Sequence, residues 1–464
     1  MPRLHFKGKV FVENHHLAVP FHELLPVREK GLSQKASLRD NLIVHGDNLA
    51  ALKSLLPTYH GRVKCVYIDP PYNTGNEGWA YNDNVNSPLY SPKSSAKYFS
   101  ENHDFVVVYA KRKESFKRNL LPRTAEADAR YRNPDDDPRG PWKSSDLSAR
   151  NPYSRGTYPI ACPGGRIIDG PPAGRFWSVA EDKLRELDRD NRIWWGSDDN
   201  QVPAVKRFLT EVQPGLVPET IWTYQEVNHT QGAKKSLLQL FPDDLPSFTT
   251  KPFELIQRMV LLSTDPDSII LDSFAGSGTT AHAVLAQNRE DGGNRRFILV
   301  ECENYADTIT AERVRRVIKG VPSAKNDALK TGLGGTFSYF ELGRPMRQES
   351  LLDGSHLPSW EKLASYIFFT ATGQEFDPSE TDRDTGFVGR TASHDVFLFY
   401  QPDVDQLKSL ALSLAEARAL PAGSRRRLVF APTKYLDRDF LHQYRIDFQQ
   451  LPFQIYEAID RLER

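Results

Sequence analysis

Four consecutive residues suited to holding an amino group follow an apolar run at 63–68. Pro70 and Pro71 fix two φ angles and have no N–H donors, so the Asp69 carboxylate and the neighbouring carbonyls form a rigid set of acceptors. Hydrogen bonds to Asp69 and to the Pro70 carbonyl would draw the nitrogen of a flipped-out base amine toward tetrahedral geometry, while Tyr72 stacks on the base. We predict that Asp69, Pro70, Pro71 and Tyr72 are catalytic. The alternative is a proline-rich loop that only ends a strand.

A second motif combines glycines with an acid at the end of the following strand. Residues 271–280 read Leu-Asp-Ser-Phe-Ala-Gly-Ser-Gly-Thr-Thr and stand between a predicted strand and a predicted helix. Glycines there allow a tight turn and a close approach of a ligand to the helix N-terminus. The spacing is neither that of a phosphate loop nor that of a dinucleotide fingerprint. Glu301 can accept hydrogen bonds from both ribose hydroxyls of an adenosine-type ligand; the alternative is a structural turn beside a surface acid.

Two parallel strand-helix-strand units are predicted to position these motifs. The first consists of a strand at 42–45, a helix at 48–56 and a strand, buried on both faces, at 63–68. The second contains helix, strand, helix and strand at 252–263, 268–271, 279–287 and 297–300. Further strands are predicted at 103–110, 337–342, 396–400 and 427–431, with a helix at 407–417.

Length and composition limit the class of protein. The chain has 464 residues, 39% of them hydrophobic, which is enough for two to four globular domains. Lys plus Arg (60) balances Asp plus Glu (60), which excludes a uniformly basic nucleic-acid binder but allows a basic cleft. The three cysteines lack metal-ligand spacing, so neither a disulfide framework nor a metal site is predicted. The lack of a signal-like apolar segment predicts a cytoplasmic protein without membrane contact.

Together the two motifs resemble those of the amino-methylating DNA methyltransferases, in which Asp-Pro-Pro-Tyr generally accompanies methylation of adenine N6. The tetrapeptide precedes the glycine turn, as in the permuted β class of these enzymes. The stretches at 69–78, 81–88 and 103–111 resemble the modification subunit of type III restriction-modification systems. The resemblance implies an α/β fold with a permuted doubly wound, Rossmann-like sheet, and S-adenosyl-L-methionine as the cofactor.

Four segments follow from this resemblance and from changes in composition. Residues 1–110 and 246–320 are predicted as the catalytic and the cofactor-binding halves of one methyltransferase domain. Between them, Arg, Asp, Pro and Gly alternate at 111–245, which we interpret as an inserted target-recognition domain. Residues 321–464 are predicted to form a C-terminal α/β domain that serves assembly.

The resemblance also assigns residues to the cofactor. It implies that the glycine turn lines the methionine end, that Glu301 holds the ribose, and that the segment beginning at Lys251 lies beside the methionine moiety. Asp47 either meets the adenine or serves as a plain helix N-cap, and both interpretations stay open. The predicted cofactor site comprises Asp47, Lys251, Pro252, Asp272, Phe274, Ala275, Gly276, Ser277, Gly278, Thr279 and Glu301.

A basic cluster after the catalytic half is predicted to contact DNA phosphates without specifying sequence. Its members are Lys111, Arg112, Lys113, Lys117 and Arg118. The alternative is a solvated charged helix. The partners implied by the resemblance are double-stranded DNA, a second copy of this chain, and a helicase-nuclease restriction subunit.

One departure from the family leaves two other functions open. Between Pro88 and Ser91 the family's modification subunits have a further long segment that this sequence lacks. The sheet is therefore expected to lack about one strand next to the catalytic one, which leaves backbone groups to be paired in another way. A catalytically silent DNA-binding specificity subunit is one alternative. Methylation of cytosine N4 is the other, although Asp69 weighs against it because the related cytosine enzymes more often have Ser there.

Overall fold

The computed structural model describes residues 19–70, 103–242, 250–345, 357–421 and 423–451. The strands in chain order are β1 His22–Pro26, β2 Leu42–His45, β3 Val63–Tyr67, β4 Trp142–Asp146, β5 Ser148–Ala149, β6 Ile160–Ala161, β7 Ile167–Ile168, β8 Phe176–Trp177, β9 Ile193–Trp194, β10 Ala204–Phe208, β11 Ile269–Asp272, β12 Arg296–Glu301, β13 Ser338–Pro345, β14 Phe387–Arg390, β15 His394–Leu398, β16 Arg426–Ala431 and β17 Ile446–Gln450. The α-helices are α1 Asn48–Tyr59, α2 Ala125–Asp128, α3 Glu181–Arg189, α4 Tyr224–Val227, α5 Thr230–Leu240, α6 Phe253–Ser263, α7 Thr279–Asp291, α8 Glu312–Lys319, α9 Asp327–Thr331, α10 Trp360–Thr372, α11 Val404–Ser409, α12 Leu414–Ala419 and α13 Arg438–Gln443. Within these ranges, no helix is long and apolar enough to cross a membrane.

Six strands form the main sheet in the order β1-β13-β2-β12-β11-β3. All neighbours from β13 to β3 are parallel, and β1 joins β13 antiparallel at the edge. Both predicted crossover units are present, as β2-α1-β3 and β11-α7-β12. β3 precedes β11 in the chain but lies beside it in the sheet, so the two units interleave in a permuted order.

Helices cover both faces of this sheet, because successive side chains of a strand point to opposite sides. In β11, Ile269 packs in one core with Leu55 of α1, whereas Ile270 packs in a second core with Val260 of α6 and Val314 of α8. Burial on two sides explains why β11 and β12 appear in the sequence as continuous apolar runs. The predicted doubly wound α/β fold is confirmed.

The strand that leads to the tetrapeptide differs from its prediction. β3 lies at the edge of the described sheet, where β11 is its paired strand. Val66 and Ile68 are 58% and 53% exposed, so the prediction of a strand buried on both faces is wrong. The apolar run correctly predicted a strand here, but only the sheet order shows that this strand lies at an edge.

Residues 103–110 were also predicted as a strand, and the structure assigns them none. Their side chains are exposed, with Phe105 at 83% and Tyr109 at 91%. A strand requires a neighbour that supplies hydrogen bonds, and no described strand pairs with this segment. The prediction is wrong because apolar β-formers indicate a strand only where a partner lies alongside. Pro71, Tyr72 and the position of the missing segment after Pro88 lie outside the described residues.

The section after residue 320, predicted as a C-terminal domain, begins with a strand that belongs to the main sheet. β13, predicted at its beginning, lies in the main sheet between β1 and β2. A second sheet, in the order β14-β15-β16-β17, follows with its own core against α10. The helix predicted at 407–417 is divided into α11 and α12, because Ser413 starts a new helix through a capping box with Glu416.

Residues 119–221 form a compact unit of their own. Its core contains Leu147, Trp177 and Trp195, and its strands form a three-stranded sheet in the order β4-β10-β9 and two antiparallel pairs, β5-β8 and β6-β7. This unit is narrower than the insert predicted at 111–245. The reason is that α5 turns its apolar face, with Leu237 and Leu240, into the core of the main sheet.

Candidate functional site

Three acidic residues stand at the carboxyl ends of three adjacent parallel strands. Asp272 ends β11, and it pairs in register with Tyr67 of β3 and Leu299 of β12. Asp69 and Glu301 each lie two residues beyond those partners in the sequence. The carboxyl ends of parallel strands meet at one edge of a sheet, so the structure brings together the acids of both sequence motifs.

Asp272 is the most buried of the three, with 2% of its surface exposed. Its Oδ1 accepts the Phe274 backbone N–H at 3.0 Å, and its Oδ2 accepts the Thr280 hydroxyl at 2.5 Å. The pKa of Asp272 is raised to about 7, chiefly by burial; the negative charges of Asp69 and Glu301 act in the same direction, and these two hydrogen bonds oppose the shift. The carboxyl group is therefore divided between its two protonation states near neutral pH.

Glu301 supports the backbone of the turn. Its Oε2 accepts the Gly276 N–H at 2.7 Å and its Oε1 accepts the Glu303 N–H at 3.0 Å. Burial raises the pKa of this carboxyl as well. Each carboxylate oxygen has a second acceptor site, so both oxygens can still accept a hydrogen bond from a ribose hydroxyl. The contact with a ribose stays a prediction.

The turn itself needs glycine at two positions for different reasons. Gly276 has φ +51° and Gly278 has φ +78°, a region that glycine enters without steric cost. Among the described residues, a Cβ on Gly276 would have only the Phe274 carbonyl oxygen nearby, at 3.9 Å, whereas one on Gly278 would lie 3.0 Å from the Thr310 carbonyl oxygen. Gly276 thus leaves room at the turn, and Gly278 allows the chain leading to α8 to approach closely.

Lys251 connects the two predicted halves of the site. Its Nζ lies 3.6 Å from Asp69 Oδ2, and both side chains are about one-third exposed. Lys251 stands immediately before Pro252, which is buried at the N-cap of α6. The residue predicted beside the methionine moiety is therefore in ionic contact with the predicted catalytic carboxylate.

Sequence reasoning missed a buried arginine behind the turn. Arg313 of α8 is 1% exposed, and its Nη1 donates to Ser277 Oγ and Thr279 Oγ1, both at 2.7 Å, and to Thr250 Oγ1 at 3.2 Å. Within Glu-Arg-Val-Arg-Arg its charged neighbours predict an exposed helix surface. A signal was present, since Arg313 stands beside Val314 and four positions before Val317, on the stripe that the core of the sheet buries.

The structure shows directly that Asp47 is a helix N-cap, which is one of its two interpretations. Its Oδ1 accepts the Ala50 N–H at 2.9 Å, so it caps α1. A cavity of about 650 Å³ adjoins it and is also lined by His22, His45 and Glu341. The proposed contact with adenine stays a prediction.

The five predicted DNA-contacting residues, Lys111, Arg112, Lys113, Lys117 and Arg118, are all exposed. Around them the described chain forms a single 3₁₀ turn, Lys113–Ser115. The alternative of a charged helix is therefore wrong. A contact with phosphate stays a prediction.

A scan against family models and a search of curated proteins both point to the same enzymes. The family model N6_N4_Mtase, described as DNA methylase, matches residues 85–312. The StyLTI Mod subunit of a type III restriction-modification enzyme from Salmonella typhimurium is 27% identical, over 72% of this chain and 64% of that protein. The EcoPI Mod subunit of Escherichia phage P1 is 23% identical, over 63% of this chain and 64% of that protein.

A smaller relative aligns over more of its own length. The type II methyltransferase M.KpnI of Klebsiella pneumoniae is 26% identical, over 59% of this chain and 82% of that protein. This chain spans less than two thirds of the length of the two Mod subunits. The region matched by the family model begins after the tetrapeptide, at residue 85, and ends at the first residue of α8; it includes the glycine turn and Glu301. On these grounds the chain is similar to DNA methylases over the part of it that carries the glycine turn and Glu301.

Proposed function

We propose that this chain transfers a methyl group from S-adenosyl-L-methionine to the N6 amine of a flipped adenine in DNA, as the modification subunit of a restriction-modification system. The observation that carries the proposal is the meeting of Asp69, Asp272 and Glu301 at one sheet edge beside the Gly276–Gly278 turn. The likeness to several Mod subunits and to type II methyltransferases supports it.

The residues present fit the proposed cofactor. S-Adenosylmethionine carries a sulfonium and an ammonium group, and Asp272 and Glu301 supply negative charge where such cations are stabilised. At Gly276 the backbone leaves open space for close approach. The bound cofactor supplies an electrophilic methyl group. Phe274, Ala275 and Ser277 of the turn, with Asp272 and Glu301, would hold its methionine and ribose portions.

The chain's own contribution to the chemistry rests on Asp69. A base amine is a poor nucleophile because its lone pair is delocalised into the ring. As the nitrogen attacks, it gains positive charge. Asp69 and the Pro70 carbonyl accept hydrogen bonds from its N–H groups and offset that charge. Lys251, at 3.6 Å, orients the carboxylate before the base arrives. Tyr72 would stack on the base.

The methylated product is either N6-methyladenine or N4-methylcytosine. The family name includes both N6 and N4 methylation. Asp69 in place of Ser favours adenine in our proposal. Identification of the methylated nucleoside by mass spectrometry distinguishes N6-methyladenine from N4-methylcytosine.

A second candidate function is a catalytically silent DNA-binding specificity subunit. The observation that favours it is the unpaired outer edge of β3 in the described sheet, with Val66 and Ile68 exposed next to the predicted catalytic residues. An edge strand is held less firmly than a central one. Such a subunit would bind DNA and the cofactor and transfer no methyl group.

The partners belong to this proposal. Two copies of the chain and a helicase-nuclease restriction subunit would assemble on double-stranded DNA, with the exposed cluster Lys111, Arg112, Lys113, Lys117 and Arg118 on the phosphates. The proposal includes a cytoplasmic location, where the protein would meet its DNA substrate.

The test is transfer of tritium from labelled S-adenosylmethionine to mixed-sequence duplex DNA, together with calorimetric measurement of cofactor binding. D69N removes the charge at nearly constant shape and should lower the transfer rate at least about 100-fold, with cofactor affinity within about threefold. The matched control is D265N, since Asp265 pairs with Lys64 at 3.2 Å on the surface. It should leave both values unchanged.

Each other outcome has a defined meaning. Equal transfer by wild type and D69N removes Asp69 from catalysis. Cofactor binding without any transfer by the wild type favours the silent specificity subunit. A wild type that neither binds the cofactor nor transfers label contradicts the proposed function.

A further inference from the structure

Arg313 differs from the other arginines of its helix in having no acidic partner at ion-pair distance among the described residues. Arg315 pairs with Asp307 at 2.7 Å and with Glu312 at 2.6 Å, and Arg316 pairs with Glu312 at 2.6 Å. Arg313 instead contacts only uncharged groups at hydrogen-bond distance. It is also the most buried of the three, so the helix directs its single unpaired guanidinium into the protein.

The charge of Arg313 persists in this position. Burial lowers the pKa of Arg313 to about 10, which keeps the group charged at neutral pH. Its Nε has no hydrogen-bond partner in the part of the chain that the structure describes, and its Nη2 lies 3.4 Å from His282 Nδ1. Glu254 attracts it only from a distance, and one oxygen of that carboxylate already accepts from Asn228 at 2.9 Å. A buried cation without a contacting anion is costly, so an anion close by would be favoured.

The hydroxyls around Arg313 lead from the guanidinium to the glycine turn. Ser277 belongs to the turn, and Thr279 is the first residue of α7. The Thr250 hydroxyl oxygen lies 2.9 Å from the hydroxyl oxygen of each. A guanidinium can only donate, so the hydroxyl oxygens accept from it. Ser277 Oγ and Thr279 Oγ1 lie 3.1 Å apart, so their protons bond within the group of hydroxyls until an anion at the turn competes for them. The N-terminus of α7 adds partial positive charge at the same point.

The turn therefore has opposite charges on its two sides. Asp272 and Glu301 line the strand ends, whereas Arg313 and the N-terminus of α7 lie behind the hydroxyls. An α-amino acid group, with its ammonium and its carboxylate, matches this arrangement. A cationic ligand without a carboxylate matches only one side of it.

We propose that Arg313 is a positioning residue for the carboxylate of the cofactor's methionine end, acting through Ser277 and Thr279. This inference rests on the proposed function, since it assumes S-adenosylmethionine at the turn. Arg313 orients the two hydroxyls so that they donate to the carboxylate, and its charge stabilises the anion. A purely structural arginine that joins α8 to α7 would show no preference for a carboxylate.

The test compares the binding of two ligands by calorimetry: S-adenosylmethionine and its decarboxylated analogue, which keeps the sulfonium and the amine. Wild type should prefer the carboxylate-bearing ligand. R313M should weaken binding of S-adenosylmethionine about tenfold or more and that of the analogue less than twofold, and R313K should recover part of the loss. R295M is the matched control, because Arg295 is equally buried but pairs with Asp291 at 2.9 Å; it should keep the wild-type preference.

If R313M fails to fold, as judged by circular dichroism, T279V carries the test, because it removes one hydroxyl at nearly constant volume. It should reduce the preference for the carboxylate in the same direction. Equal weakening of both ligands by R313M or T279V, or a wild type without any preference between them, overturns the role of Arg313. A wild type that binds neither ligand overturns the proposed function instead.

Discussion

Replacement of Asp272 by Asn should remove a dependence of cofactor affinity on pH. Asp272 lies on the strand-end side of the turn, where the proposed cofactor brings positive charge. In the folded protein the pKa of Asp272 is raised from an ordinary 3.8 to about 7. The ionised form attracts the cationic ligand and the protonated form does not. Affinity should therefore rise as pH increases through 7.

The size of the effect follows from the ionised fraction. With a pKa of about 7, roughly 10% of Asp272 is ionised at pH 6 and roughly 90% at pH 8. If only the ionised form binds, the dissociation constant at pH 6 is about ten times that at pH 8. The D272N variant keeps one oxygen to accept the Phe274 N–H, while its amide NH2 faces the Thr280 hydroxyl, which can accept from it. The variant has no charge to gain. Its dissociation constant should be larger than that of wild type at pH 8, and the tenfold change between pH 6 and pH 8 that comes from Asp272 should be absent.

The assay is calorimetric titration of S-adenosylmethionine into both proteins at pH 6, 7 and 8. The same ligand is used throughout, so its own titration and that of Glu301 cancel in the ratio of variant to wild type. The exposed D265N variant again controls for loss of a surface carboxylate. A constant ratio of D272N to wild type across this range would refute the argument that Asp272 titrates against the ligand.

The unfolding free energy gives an independent check. Because Asp272 ionises near 3.8 when unfolded and near 7 when folded, the wild type loses stability as pH rises through this interval, by up to about 4 kcal/mol at pH 8. D272N avoids that loss. Urea unfolding should show the variant gaining stability relative to wild type between pH 4 and pH 8.

Two further predictions concern the turn and the inserted unit. G278A should lower the unfolding free energy by about 2 kcal/mol and G276A by about 1 kcal/mol, since both adopt positive φ but only the former meets the Thr310 carbonyl oxygen, at 3.0 Å; equal losses in urea unfolding would contradict this. K206M should destabilise the unit 119–221 by about 3 kcal/mol, because Lys206 is 1% exposed and pairs with Asp135. Hydrogen exchange should then speed up within 119–221 and remain unchanged elsewhere.

Local patterns were sufficient to predict most elements of the main sheet. β2, α1, β11, α7 and β12 were each predicted within a few residues of their observed bounds, because a strand buried on both faces appears as an apolar run and a helix shows its own periodicity. The same reasoning failed at 103–110, where apolar residues without a neighbouring strand remain exposed. It also placed β13 in the wrong domain, since pairing with β1 and β2 is a long-range choice.

The candidate site divides in the same way. Asp69, the glycine turn and Glu301 were found from the sequence because each lies at the end of an apolar run, with residue types that few structural roles require. The ion pair of Lys251 with Asp69 joins residues far apart in the chain. Arg313 was overlooked because its burial depends on the side of α8 that packs against the sheet.

The sequence by itself determined which chemical groups are present and which short segments carry them: the acceptor array at Asp69, the positive-φ glycines and the strand-end acids. Tertiary structure decided how these groups affect one another. The raised pKa of Asp272 and the lowered pKa of Arg313 arise from burial, and burial depends on residues brought together from distant parts of the chain. Local sequence fixes the types of residues and their spacing, whereas electrostatic energies depend on distances and solvent exclusion that only the assembled sheet establishes.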